Sequence, residues 1–199
     1  IGTYFIPAAL RGLARKFPRL KLYLREEQTA QLLGKLEKGQ LDLALIALPY
    51  EVGEFETMAL GPDRIVVALP KGHKLAAGKR IDPAALAGEE LLLMEDGHCL
   101  RSHALQACRL AGPDRNEVFQ GTSLRTLLHM AAGGIGITLM PAMAVAAEIT
   151  PNSGLVARPL AGDPTRTIAL AWRRSSARKA EFRALGAYLK SVLEKRAAD

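Results

Sequence analysis

Helix-type and strand-type patterns alternate along this chain of 199 residues, and the alternation limits the folds that it can adopt. Apolar residues repeat every three or four positions over residues 6–17, which indicates a helix, and Leu20, Leu22 and Leu24 then alternate with other residues as in a strand. The strongly apolar stretch 41–48 is typical of a strand that is covered on both faces. Helices and strands in this order predict an α/β fold with mostly parallel sheets.

Clusters of glycine and proline, which interrupt helices and strands, predict that the chain forms two lobes. Separate strands are predicted at Phe55–Leu60 and Ile65–Leu69, and glycine and proline cluster at Pro70–Gly72 and again at Ala161–Pro164. We therefore expect the chain to cross between the lobes twice, with residues 1–68 and 163–199 in one lobe and residues 69–162 in the other. A cleft between two such lobes is a common place for a small ligand.

Two cysteines are too few to form a disulfide scaffold, and a chain of this length buries enough surface to fold without one. No run approaches the ~18 apolar residues of a membrane span, and the first residues lack the layout of a signal peptide. We therefore expect a cytoplasmic protein that does not bind a membrane, in a compartment where thiols are kept reduced.

The net charge of +7 lies mostly near the C-terminus. Residues 158–199 contain ten Lys and Arg but only four Asp and Glu. No helix-turn-helix, zinc-finger or RNA-binding signature accompanies them. Apolar residues at helical spacing from Phe182 to Leu193 instead predict an amphipathic helix whose solvent face is basic. We therefore do not expect residues 1–199 to bind DNA directly.

The glycine-rich stretch Gly133–Ile137 does not have the order of a nucleotide-binding loop. It follows a predicted helix and precedes a predicted strand, whereas phosphate-binding glycines follow a strand and open a helix. The chain also has no GKT or GKS loop, no HExxH pair and no GxSxG elbow. Hydrolase and nucleotidase activities are therefore disfavoured.

Cys99 lies at the most informative point of the chain, in a turn between a predicted strand at Leu91–Met94 and a predicted helix at Leu100–Ala111. The N–H groups at the start of a helix stabilise a thiolate, and His98 and Arg101 add positive charge. We therefore expect a lowered pKa for the Cys99 thiol and a nucleophilic sulfur.

Cys108 follows Cys99 by nine residues. In one helix this spacing places the two residues ~13 Å apart along the axis and on opposite faces, whereas a disulfide requires Cα atoms within ~7 Å. The two can form a bond only if the helix unwinds, which is typical of a bistable element. Cys108 is also compatible with a buried core position.

A metal site built from His98, Cys99, His103 and Cys108 is the alternative for this segment. The spacings match no recurrent zinc pattern, and a helix would separate the ligands, so we expect no metal. His73 and His129 show no partner pattern either.

The segment 94–108, with Glu95-Asp96-Gly97-His98-Cys99-Leu100-Arg101 and the distant second cysteine, resembles the redox centre of the peroxide-sensing LysR-type transcription regulators. Matching segments occur in the same order along nearly the whole chain. They are Phe17-Pro18-Arg19-Leu20, Glu27-Gln28-Thr29, Gln31-Leu32-Leu33, Gly121-Thr122-Ser123-Leu124 and Gly136-Ile137-Thr138-Leu139.

The resemblance implies a regulatory domain of two Rossmann-like lobes joined by two crossover strands, similar to periplasmic binding proteins. It implies no cofactor, and it leads us to expect a winged helix-turn-helix DNA-binding domain before Ile1. By the same resemblance Cys99 is the peroxidatic thiol and Cys108 the resolving thiol, while Thr29, His98 and Arg166 bind or activate the peroxide.

The implied function is a redox switch. Hydrogen peroxide would oxidise Cys99 to a sulfenic acid, and a disulfide with Cys108 would refold the segment and change the binding of promoter DNA by a homodimer or homotetramer. Oxidative-stress genes would respond, and a thiol reductant such as glutaredoxin would reset the switch. Two alternatives remain to this non-enzymatic function: a LysR-type domain gated by a small metabolite in the cleft, and a thiol peroxidase.

Overall fold

The computed structural model describes residues 1–107 and 119–198. Two 3₁₀ helices, Lys74–Ala77 and Pro83–Gly88, accompany six α-helices and seven strands in this part of the chain. The α-helices are α1 Gly2–Lys16, α2 Thr29–Glu37, α3 Cys99–Ala107, α4 Leu124–Ala132, α5 Ala142–Glu148 and α6 Lys179–Ala198. The strands are β1 Ala44–Leu48, β2 Phe55–Pro70, β3 Leu91–Met94, β4 Gln120–Gly121, β5 Ile137–Pro141, β6 Leu155–Pro159 and β7 Thr165–Arg173. None of the described helices is both long enough and apolar enough to cross a bilayer.

The chain divides into two compact units. Unit 1 comprises residues 1–62 and 167–199, and unit 2 comprises residues 63–166. The chain leaves unit 1 within β2 and returns to it within β7. The boundaries predicted at 68/69 and 162/163 were placed next to segments rich in glycine and proline. The boundaries between the compact units, at 62/63 and 166/167, instead lie inside β2 and β7.

Unit 1 packs helices against the pair formed by β1 and β7. The two strands are antiparallel, with Ala44 opposite Ala171, and Leu36 of α2 is fully buried against them. Helix α6 buries Phe182, Leu189 and Leu193, which confirms the predicted amphipathic helix. It is joined to α1 by contacts that include a 2.7 Å hydrogen bond from the Tyr188 hydroxyl to the Ala9 carbonyl oxygen.

Unit 2 places β3 between two parallel neighbours, β4 and β5, while β2 runs antiparallel to both β5 and β6. Its apolar core includes Val67, Leu93 and Leu139, and helix α3 contributes Ala104 to it. Met94, the last residue of β3, lies opposite Gly121, the last residue of β4. The turns that follow these two strands are therefore neighbours at the carboxyl edge of the sheet.

The prediction of mostly parallel sheets is wrong. The described pairs β1–β7, β2–β5 and β2–β6 are antiparallel, and only β3–β4 and β3–β5 are parallel. The antiparallel pairs join strands that are distant in sequence, and local sequence patterns do not encode such pairing. The fold is nevertheless a mixed α/β fold, as the alternation predicted.

Two further strand predictions differ from the structure. Residues 20–24 form no strand with any described residue, and Leu22 and Leu24 are 40% and 59% exposed. Alternation defines two faces, but a strand also needs a hydrogen-bonded neighbour. The two strands predicted at 55–60 and 65–69 form one strand, β2, because the chain stays extended through Gly61 and Pro62.

Candidate functional site around Cys99

Cys99 is the first residue of α3 and is half-buried. The four residues of β3 before it are all buried, and the chain then turns sharply at Gly97, whose φ of +89° favours glycine. The helix was predicted to begin at Leu100 and begins one residue earlier. The sulfur is thus carried at a helix N-terminus, where backbone N–H groups favour a negative charge.

Two interactions of Arg101 hold the turn between β3 and α3. Its Nη1 donates a 3.3 Å hydrogen bond to the carbonyl oxygen of Met94, and its Nε lies 2.9 Å from Oδ1 of Asp96. The Glu95 N–H also donates to the Gly121 carbonyl oxygen at 3.1 Å, which ties the turn to β4. The Arg101 charge that the sequence suggested for the Cys99 thiolate is therefore paired with Asp96.

The histidines near Cys99 have different surroundings. The His98 Nε2 lies 3.7 Å from Oε1 of Glu95, and the His98 side chain is 30% exposed. His103 is buried on α3, at 5% exposure. Among residues 1–107 and 119–198, no three His, Cys, Asp or Glu side chains are grouped closely enough to hold a metal ion.

Helix α3 extends from Cys99 to Ala107 and carries Cys99 at its first position. Eight helical steps between these two residues span ~12 Å along the axis. Cys108, the second cysteine of the sequence, lies outside the described residues.

Thr29 is the first residue of α2, in unit 1, and is 6% exposed. Gln28 holds the N-cap position of this helix, and no side-chain cap forms. An ion pair between Glu27 and Lys35 connects the segment before α2 with the last turn of the helix. Cys99, His98 and Arg166 belong to unit 2.

Arg166 is buried and forms an ion pair with Asp63. Its Nε and Nη2 each lie 2.9 Å from Oδ2 of Asp63, and both side chains are only 3% exposed. The other oxygen of Asp63 accepts a 3.2 Å hydrogen bond from the N–H of Met143, at the start of α5. Sequence reasoning missed Asp63 because 103 residues separate it from Arg166, and no local pattern marks the pair.

Two polar side chains tie elements of the fold together. The Thr138 hydroxyl, in the Gly136–Leu139 segment, donates a 2.7 Å hydrogen bond to the Leu92 carbonyl oxygen and so joins β5 to β3. Arg173 of β7 donates to the carbonyl oxygens of Leu36, in the last turn of α2, and of Leu41, which follows the helix.

A family model described as the LysR substrate binding domain matches residues 1–194, and the chain belongs to this family.

Within the family the chain is similar to OxyR. A relative from Pectobacterium carotovorum subsp. carotovorum, named hydrogen peroxide-inducible genes activator, is 40% identical over 185 residues. The match covers 93% of this chain, which spans only 61% of that relative. The reduced form of OxyR superposes with a TM-score of 0.87 at 36% identity, covering 97% of this chain and 91% of that one. The oxidised form gives 0.86 at 38% identity, with coverage of 98% and 92%.

Proposed function

We propose that this chain is the redox-sensing regulatory domain of a LysR-type transcription regulator that responds to hydrogen peroxide. The observation that carries the proposal is Cys99 at the first residue of α3, a helix that continues to Ala107. The similarity to a hydrogen peroxide-inducible genes activator and to both redox forms of OxyR supports it. The two units would be the two lobes of the regulatory domain.

The proposed reaction has two steps. The Cys99 thiolate attacks one oxygen of hydrogen peroxide, the O–O bond breaks, and the sulfur becomes a sulfenic acid while hydroxide leaves and takes up a proton to form water. The Cys108 thiol then attacks the sulfenic sulfur, a disulfide forms, and a second water leaves. The sulfur atoms lose two electrons in total and the peroxide gains them.

Three side chains would assist the first step. Thr29 and His98 would position the peroxide through hydrogen bonds and stabilise the departing hydroxide. Arg166 would contribute positive charge near the reactive sulfur, although Asp63 compensates part of that charge. These roles rest on the resemblance to the peroxide-sensing regulators.

The partners follow from the regulatory role. A DNA-binding domain elsewhere in the polypeptide would contact promoter DNA in the cytoplasm and switch oxidative-stress genes, and a thiol reductant such as glutaredoxin would restore the dithiol. A homodimer or homotetramer would transmit the change, and the exposed apolar side chains Leu10, Leu22 and Leu24 offer surface for self-association.

Disulfide mapping by mass spectrometry tests the proposal. Reduced protein treated with equimolar hydrogen peroxide should form a Cys99–Cys108 bond, whereas Cys99→Ser should react no faster than a buried thiol, and Cys108→Ser should stop at the sulfenic acid, which dimedone traps. Sustained turnover of peroxide with a thiol reductant would instead indicate a peroxidase. A full-length Cys99→Ser regulator that still responds to peroxide would refute the proposal and favour gating by a metabolite.

A further inference from the structure

Arg101 anchors the first turn of α3 to the end of β3, and this anchor is independent of the residues that would contact peroxide. The guanidinium reaches back from the third residue of the helix to the Met94 carbonyl oxygen and to the Asp96 carboxylate. The Arg101 side chain is 16% exposed, whereas that of Asp96 is 84% exposed. The Arg101 side chain is therefore largely buried, whereas the Asp96 carboxylate lies in contact with solvent.

The anchor spans the bonds that must rotate when Cys99 leaves the helix. Met94 and Asp96 precede the sharp turn at Gly97 and Arg101 follows it, and the Arg101 backbone N–H donates a 3.0 Å hydrogen bond to the His98 carbonyl oxygen across Cys99. If Cys99 moves out of this turn to form the proposed disulfide with Cys108, these contacts are strained or broken.

We propose that Arg101 and Asp96 form a latch that stabilises the dithiol conformation and so sets the balance between the dithiol and the disulfide. The inference rests on the proposed function, because it concerns the same pair of cysteines. Arg101 is a positioning residue here: it acts on the helix that carries Cys99 rather than on the peroxide. A charge-assisted hydrogen bond of this kind corresponds to roughly a three- to tenfold change in an equilibrium constant.

A simple charge effect predicts a different outcome for Asp96. If Arg101 acted only by stabilising the Cys99 thiolate, removing the Asp96 carboxylate would free more positive charge and favour the dithiol. If the two residues form a latch, removing either one weakens the dithiol conformation, and both variants shift the balance toward the disulfide. The sign of the Asp96 effect therefore separates the two explanations.

Equilibration in glutathione buffers measures the balance, since two molecules of reduced glutathione convert the protein disulfide to the dithiol and become one oxidised glutathione. The full chain is compared with Arg101→Ala, Asp96→Ala and, as a control, Arg125→Ala, which removes the ion pair between the exposed Arg125 and Glu148 in the same unit. The disulfide fraction is read by alkylation and mass spectrometry. The unfolding temperature of each dithiol form shows whether the variants remain folded. Asp96→Ala is the more informative variant, because the Asp96 side chain is exposed and its removal leaves no cavity in the core.

We expect Arg101→Ala and Asp96→Ala to raise the equilibrium constant for the disulfide by roughly three- to tenfold, and Arg125→Ala to change it less than twofold. An Asp96→Ala shift toward the dithiol, or no shift, would overturn the latch while leaving the proposed function intact. Failure of the unsubstituted chain to form the Cys99–Cys108 bond at any glutathione ratio would overturn both.

Discussion

At the scale of single residues, Asp63 and Arg166 form the most deeply buried ion pair in the described part of the chain. Both side chains are 3% exposed, and three N–H groups converge on one carboxylate. Removing one member of such a pair leaves the other charged and buried without compensation. The pair therefore matters to stability whether or not Arg166 also assists the chemistry of Cys99.

Asp63→Asn should lower the free energy of unfolding by about 3–5 kcal/mol, because the Arg166 charge would stay buried without its counter-ion. Urea unfolding followed by circular dichroism measures the change. The matched control is Asp42→Asn, which removes an exposed partner of Arg178 and should cost at most about 1 kcal/mol. Equal losses in the two variants would contradict the prediction.

At the scale of secondary-structure elements, the start of β5 depends on Gly136. A Cβ atom placed on this glycine would lie 2.5 Å from the backbone carbonyl oxygen of Glu90, just before β3. Gly136→Ala should therefore push β5 away from β3 and lower the free energy of unfolding by about 1–3 kcal/mol.

Gly34 is the matched control for this substitution. It lies inside α2, and a Cβ there would meet no atom within 4 Å. Gly34→Ala should raise the free energy of unfolding by about 0.5–1 kcal/mol, since alanine is the better helix former. Thermal unfolding of both variants measures the two changes in stability. A lower stability of Gly34→Ala would show that a Cβ atom at this position does meet neighbouring atoms.

The attachment of α6 to β2 should depend on pH. Hydrogen bonds from Arg183 and then Lys179 lower the pKa of Glu56, with lengths of 2.6 and 3.0 Å. A lowered pKa in the folded state means that the contribution to stability is present above the ordinary pKa of a glutamate and is lost as the pH falls through the lowered value.

Glu56→Gln should therefore remove part of the acid sensitivity of the domain. The stability difference between the unsubstituted chain and the variant should be largest near neutral pH and should shrink as the carboxylate becomes protonated. Thermal unfolding across a series of acidic buffers measures the difference. A gap that stays constant down to strongly acidic pH would argue against the ion pairs as its cause.

The secondary structure and the cysteine site were predictable to different degrees. Local periodicity identified α1 and α6, and the position of Cys99 between β3 and α3 followed from an apolar strand next to a helical pattern. Residues 20–24 alternate correctly and still form no strand, because pairing depends on a neighbour that local sequence does not specify. Asp63 was missed, and Asp96 was given no role of its own, because the importance of each arises from the arginine that it meets in the fold.

At the scale of the whole molecule, two continuous strands join the units. β2 and β7 each contribute residues to both, so neither unit can lose these strands without disturbing the other. We expect the two units to unfold in one cooperative transition.

Trp172 makes this prediction testable, since it is the single tryptophan of the chain and lies buried in unit 1. Its fluorescence reports on unit 1, whereas far-ultraviolet circular dichroism reports on both units. The two signals should give the same urea midpoint, both in the unsubstituted chain and in Asp63→Asn, whose substitution lies in unit 2. Separate midpoints would show that the units unfold independently.

The insertion of unit 2 as one continuous segment, residues 63–166, also has a mechanical consequence. Residues 1 and 198 both belong to unit 1, so a force applied between these two points acts first on unit 1 and is passed along the chain to unit 2 through β2 and β7. In an optical-trap experiment the segment that carries Cys99 should therefore come under tension only once unit 1 has opened.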